Sequence, residues 1–94
     1  MNKPLFFYVP SGVEQFREDI QTLLQNPAGR RVFRRMFLQA NVMGTPWAND
    51  ARSMEHNEGM RSLGLWFAAA VEEAMPGEFA RLLLESAADR LNDN

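Results

Sequence analysis

Residues 26–37, NPAGRRVFRRMF, contain both the start of a helix and its two contrasting sides. Asn26 belongs to the residue types that cap helices, and Pro27 follows at the first helical position, where its missing N–H costs nothing. At 100° per residue, the following apolar residues lie on one side and the arginines on the other. The stretch therefore predicts an amphipathic helix from residue 27 to about 42, with Gly44 as its stop.

The capping residues, prolines and glycines of the chain predict three further helices. These run over about residues 12–25, from residue 49 or 50 to about 75, and from residue 76 or 77 to about 91. Ser11 and Glu14 form a capping-box pattern before the first helix. Asn49 or Asp50 can cap the third, and Pro76-Gly77 separates it from the fourth. No stretch shows the alternation of an exposed strand. The predicted fold is all-α, a compact bundle of about four helices.

Length and composition indicate one small globular domain. With 94 residues the chain is too short for two hydrophobic cores, and 46% hydrophobic and 23% charged residues are typical of folded proteins. We predict a single helical domain over residues 11–94, preceded by an extended aromatic arm over residues 1–10. The chain has no cysteine, which excludes disulfides and thiolate zinc sites.

The N-terminal arm contains the apolar run LFFYV at residues 5–9. This run is shorter than a signal-peptide core of about 7–15 residues and far shorter than a membrane span of about 20. The sequence therefore predicts a protein made in the cytoplasm, without a membrane segment. Leu5, Phe6, Phe7 and Tyr8 either cover the helical core or dock on a neighbouring protein.

The net charge of −2 is unevenly distributed. Residues 26–61 contain six basic and three acidic residues, whereas residues 71–94 contain two basic and six acidic residues. This asymmetry favours oriented contacts, including self-association, over general attraction to a polyanion.

Arg30, Arg31, Arg34 and Arg35 form the polar side of the second helix. They fit a solvated face, a surface for an acidic protein partner, or a nucleic-acid site. The aromatic residues of this helix point away from the arginines, whereas proteins that bind single strands expose aromatic rings beside positive charge. Leu38 lies among the arginines, where a solvated face does not need it, and this indicates a protein partner.

The third helix has a predicted core face, made by His56, Met60, Leu63, Phe67, Ala70, Val71 and Ala74. The opposite, charged face also carries Leu65, and Trp66 lies between the two faces, so both are candidates for protein contact. Gly59 and Gly64 either let another helix approach closely or are simply tolerated within the helix.

The sequence offers little support for catalysis or metal binding. Glu55 and His56 in the EHNE cluster point about 100° apart on a helix, and the chain has no second histidine to complete a site. No nucleophile motif or phosphate-binding glycine loop is present. We therefore predict a protein that is not an enzyme and that holds no metal or cofactor.

Three stretches, NPAGRRVFRRMFLQANV, MEHNEGMRSLGLWF and PGEFARLLLES, resemble a family of small tailed-bacteriophage proteins named from a gene product of a Bordetella podovirus. The resemblance covers about residues 22–86. His56-Asn57 departs from the family, in which an aromatic residue and arginine are common there, and the N-terminal arm does not align. The corresponding residues are Pro27, Gly29, Arg30 and Val32, then Asn57, Glu58, Gly59, Arg61, Gly64, Leu65 and Trp66.

The resemblance implies a virion protein, encoded among head and packaging genes, with no catalytic residues. Its partners would be larger phage structural proteins such as portal, capsid or ejection components. The alternatives are an intracellular phage effector that binds a host protein, and a packaging accessory that contacts DNA. Within the chain, Glu58 and Arg61 can pair at i, i+3, or Arg61 can reach the loop after the second helix.

Overall fold

The described part of the chain is entirely helical apart from its turns. The structure, a computed structural model, describes residues 10–45 and 47–92, and within these residues there is no strand. The helices are α1 (Pro10–Leu24), α2 (Pro27–Ala40), α3 (Ala51–Ala74) and α4 (Glu78–Asn92). The predicted all-α bundle of four helices is confirmed. Of the aromatic arm predicted over residues 1–10, residues 1–9 lie outside the described residues, and the role of the arm stays a prediction. Pro10 belongs to α1 and not to the arm.

Helix α2 begins as predicted but ends differently. The Asn26 side chain accepts a hydrogen bond from the Ala28 N–H at 2.8 Å, so Asn26 is the N-cap. At the other end Asn41 adopts the left-handed conformation, with φ 58° and ψ 46°. The N–H groups of Asn41 and Val42 then donate to the carbonyls of Leu38 and Phe37. Gly44 is therefore not the stop, because asparagine tolerates the left-handed conformation that ends the helix three residues earlier.

The other helices begin and end near the predicted capping and helix-breaking residues, with one exception. The Asp50 carboxylate accepts from the Ser53 N–H at 2.8 Å, which makes Asp50 the cap of α3. Gly77, with φ 90°, lies in the turn between α3 and α4. Helix α1 already includes Ser11, so that residue lies inside the helix and the predicted capping box does not begin it.

All four helices contribute to one hydrophobic core. Ile20 and Leu24 of α1 are buried, whereas Val13, Phe16 and Leu23 of the predicted apolar stripe are 38–58% exposed. The stripe is therefore wider than the surface that α1 buries. The buried apolar residues are Ile20, Leu24, Phe33, Phe37, Ala40, Val42, Ala68, Val71, Ala74 and Leu82.

Helix α3 is rotated relative to its predicted orientation. Gly64 is buried against α2, and a Cβ atom built on it would lie 2.6 Å from both the Ala40 Cβ and the Val42 Cγ1. This close approach turns the small residues of α3 inward, so His56 and Leu63 of the predicted core face are exposed, and Met60 is only partly covered. The prediction is confirmed for Val71 and Ala74, which are buried in the core. It was wrong for the first half of the helix, because it placed the larger apolar residues inside.

Two glycines of α3 provide a matched test of this close approach. Gly59 is exposed with nothing near its missing Cβ, so Gly59→Ala should stabilise the protein by about 0.5–1 kcal/mol through helix propensity. Gly64→Ala has the same propensity gain, but overpacking against Ala40 and Val42 costs about 1–3 kcal/mol. We expect the two variants to differ by about that cost in urea unfolding. Equal stabilisation would contradict the close packing.

Candidate interaction surface

Helices α2 and α4 are joined by a network of ion pairs. The Arg30 guanidinium donates to Glu85 through Nε at 3.2 Å and Nη2 at 2.8 Å, and to Glu78 through Nη1 at 2.6 Å. Arg34 donates to Glu85 through Nη1 and to Asp89 through Nε, each at 2.9 Å. The charge asymmetry of the sequence is thus partly neutralised within the chain.

The Arg30 end of the network is shielded from solvent. The Arg30 side chain is 18% exposed and that of Glu78 only 9%. Arg30 also donates to the Leu24 carbonyl at 3.0 Å, so one guanidinium joins α1, α2 and α4. Its hydrogen bonds lower the pKa of Glu85 below the ordinary value of 4.5, and Arg34 adds to this effect. The hydrogen bond to Glu85 likewise raises the pKa of Arg30.

The four arginines therefore do not form a single face, and the prediction of one polar side was wrong. Arg30 and Arg34 bind α4, whereas Arg31 and Arg35 are exposed and make no ion pair with any residue in the described ranges. A nucleic-acid surface would need several free cations for phosphates, and only this second pair is available on α2.

An apolar groove lies between α2 and α3, beside the point where Ala40 meets Gly64. Its volume is about 600 Å³. Val32 is 67% exposed and Leu63 is 60% exposed, so the groove is open to solvent. We call this surface the α2–α3 groove; it is lined by Val32, Arg35, Met36, Gln39, Ala40, Met60, Leu63 and Gly64.

Sequence reasoning missed this groove because it assigned the large apolar residues of the lining to the core, although it did name Arg35 as a contact residue. Val32 and Leu63 each follow the helical apolar period of their own helix, which is the usual signal of burial. The available signal was the pair of small residues, Ala40 and Gly64. They bring the helix axes together at one point and leave the larger side chains on either side without a covering element.

Leu38 borders a separate hollow at the other side of α2. This hollow of about 390 Å³ is lined by Phe37, Leu38, Asn41, Val42, Met43, Gly44, Leu83 and Ser86. The partly exposed Leu38 side chain thus lies near the end of α2 and near α4, and not on the wall of the α2–α3 groove. Arg35 lines the α2–α3 groove and Leu38 lines this second hollow, so the two predicted contact residues border different cavities.

Leu65 and Trp66 lie on α3 away from the groove lining. Trp66 is 57% exposed, with its ring centroid 5.8 Å from that of Phe16 and 5.0 Å from that of Phe67. Leu65 is also partly exposed. Trp66 therefore helps to hold α1 against α3 and still presents part of its ring to solvent.

Several residues behind the phage resemblance make structural contacts. Arg61 Nε donates to the Gly44 carbonyl at 3.0 Å, and Arg61 also pairs with Glu58 at 3.8 Å. Both predicted contacts of Arg61 are confirmed. A Cβ on Gly29 would lie 2.8 Å from the Leu23 carbonyl carbon, so this position has no room for a side chain. These residues hold the turn after α1 and the loop after α2.

The described residues contain no group of three or more histidine, cysteine, aspartate or glutamate residues that could hold a metal ion. His56 is exposed. The prediction that it lies on the core face was therefore wrong. Among the helices within residues 10–45 and 47–92, none combines the length and the apolarity that crossing a bilayer requires.

Comparison of the chain with protein-family models, with curated proteins and with solved structures finds no match. The α2–α3 groove therefore stands as the candidate interaction surface on its geometry alone.

Proposed function

We propose that this protein is a small, non-enzymatic structural or accessory protein of a tailed-phage particle. It binds a larger head, portal or ejection component through the α2–α3 groove. The observation that carries the binding role is the open apolar lining of Val32, Met60 and Leu63, because contiguous exposed apolar surface marks protein interaction sites. The phage context comes from the resemblance of residues 22–86.

The small size of the chain also supports a role that depends on a partner. A 94-residue domain buries a modest share of its surface, and covering Val32 and Leu63 in a complex would add apolar burial. Trp66, next to Phe16, offers a second exposed surface besides the groove, and this one is aromatic. Tryptophan is common in interface hot spots. The groove and Trp66 together favour binding over catalysis.

Mass spectrometry of gradient-purified particles from the encoding phage tests this function. We expect the chain at a reproducible copy number relative to the major capsid protein, retained after a high-salt wash. A phage lacking the gene would be complemented with Leu63→Asp, which places a charge in the groove, or with Leu84→Asp. Leu84 is a leucine on α4 that is somewhat more exposed than Leu63, and it is the matched control.

We expect Leu63→Asp to reduce incorporation at least tenfold, while Leu84→Asp incorporates like the wild type. Absence of the wild-type chain from the particle would remove the virion proposal and leave the intracellular effector as the alternative. Equal incorporation of both variants would remove the groove from the proposal.

A further inference from the structure

We propose that the occupant of the α2–α3 groove is an acidic amphipathic helix of the partner protein. Its apolar side chains would contact Val32, Met36 and Leu63, and its carboxylates would pair with Arg31 and Arg35. This inference deepens the proposed function by giving the chemistry of the partner, and it rests on the groove being the binding surface.

The charge of the partner follows from the division of the four arginines. Arg30 and Arg34 are satisfied by three carboxylates of α4. Neither Arg31 nor Arg35 forms an ion pair with a carboxylate of the described residues. Arg35 lines the groove, and Arg31 precedes Arg35 by one helical turn. Unpaired arginines beside an apolar groove are complementary to a surface that combines apolar and acidic groups.

The helical form of the partner follows from the length of the groove. Its α2 wall extends from Val32 to Ala40, which corresponds to about 12 Å at 1.5 Å per residue. Two turns of a docked helix present apolar anchors at i, i+3 or i+4, and i+7 over nearly the same length. Arg31 and Arg35 are themselves one turn apart, so they can meet carboxylates that are spaced by four residues on the partner.

A small-molecule ligand fits this groove less well than a helix. Small-molecule sites combine an enclosed apolar cavity with a few convergent polar groups that fix the orientation of the ligand. Here the polar side chains of the lining are Arg35 and Gln39, both exposed and both on α2. Met36 and Met60 instead provide the adaptable apolar contacts that helix-binding grooves use.

Two synthetic amphipathic peptides test the proposal with the full chain. They share one leucine face and differ only in having glutamate or lysine beside it, and fluorescence anisotropy measures their binding. We expect the glutamate peptide to bind about tenfold more tightly, because two arginine–carboxylate pairs replace two like-charge contacts. This preference should shrink at about 0.5 M salt, where charges are screened beyond a few ångströms.

Charge reversal gives the matched variant. The double variant Arg31→Glu/Arg35→Glu should bind the lysine peptide more tightly than the glutamate peptide. Leu63→Asp should lower the affinity for both peptides at least tenfold, and Leu84→Asp should leave both affinities unchanged. Equal affinity of the two peptides for the wild type, or an unchanged preference in the double variant, would overturn the proposal. If the chain shows this reversal but is absent from virions, only the proposed role in a phage particle is refuted.

Two other occupants would also overturn the proposal, and each has its own signature. If the groove binds a second copy of this chain, the wild type sediments as a dimer and Leu63→Asp as a monomer. If the chain's own N-terminal residues occupy it, the glutamate peptide binds only to the full-length variant Phe6→Asp/Phe7→Asp. The proposal requires a wild-type monomer that binds the glutamate peptide directly.

Discussion

Replacing Phe37 by alanine is expected to lower the free energy of unfolding by about 3–5 kcal/mol. Phe37 is 2% exposed, and its ring lies 6.0 Å from that of Phe33 and 5.2 Å from that of Phe79, edge to face. These neighbours belong to α2 and α4, so the cavity left by the ring cannot close without moving one helix relative to the other. Urea unfolding followed by circular dichroism measures the loss.

The control for Phe37→Ala is Val32→Ala on the same helix. Val32 is exposed in the groove, and its truncation should change stability by no more than about 0.5 kcal/mol. Small domains are stable by about 5–15 kcal/mol in total, so the Phe37 variant should unfold at a clearly lower urea concentration. A loss below about 1 kcal/mol would contradict the placement of Phe37 between α2 and α4.

The sequence predicted the helices well because their signals are local. A capping or helix-breaking residue affects only the adjacent helical turn. In the structure, helix boundaries lie at Asn26, at Asp50 and at Pro76-Gly77. The role of Asn41 as the C-cap of α2 was missed because glycine ends helices more often than asparagine, so Gly44 was chosen. Asparagine also adopts the left-handed conformation. Helix positions were therefore readable from single segments of the chain.

The groove was not predictable in the same way because it depends on which helices meet. Val32 and Leu63 have the spacing of core residues, and only the contact between Ala40 and Gly64 decides that they stay exposed. A helical period identifies an apolar side. It does not identify how much of that side a neighbouring helix covers.

The ion-pair network was hidden for the same reason, although its signal was in the sequence. Arg30 and Arg34 are four residues apart on α2, and the three acidic partners follow a helical spacing on α4, at Glu78, Glu85 and Asp89. Each set alone resembles a solvated face. Only the adjacency of α2 and α4 turns the two charged stripes into one contact between helices. Arg31 and Arg35 are left without an ion pair among the described residues.

Arg30→Ala should cost about 2–4 kcal/mol of folding stability, the second largest effect expected here. The change removes hydrogen bonds to Glu78, Glu85 and the Leu24 carbonyl. Among the described residues, the buried Glu78 carboxylate then keeps an ion pair only with the exposed Arg81. Arg30→Lys keeps the charge but not the planar fork, so we expect an intermediate loss of about 1–2 kcal/mol.

Arg31→Ala is the matched control for Arg30→Ala, because it removes the same residue type at the adjacent, exposed position. It should change stability by no more than about 0.5 kcal/mol in the same urea experiment. Similar losses for the two variants would show that the network contributes little and that the arginines act alike.

The pH dependence of the Arg30→Ala effect separates the ion pair from packing. Because Arg30 lowers the pKa of Glu85 below 4.5, ionised Glu85 favours the folded state above that pH. This contribution is lost as the pH falls through the lowered pKa. The wild type should therefore lose stability more steeply than Arg30→Ala between about pH 5 and pH 3, so the difference between them shrinks in acid. A difference that stays constant over this range would mean that Arg30 stabilises the fold through its contact with the Leu24 carbonyl and its packing, and not through Glu85.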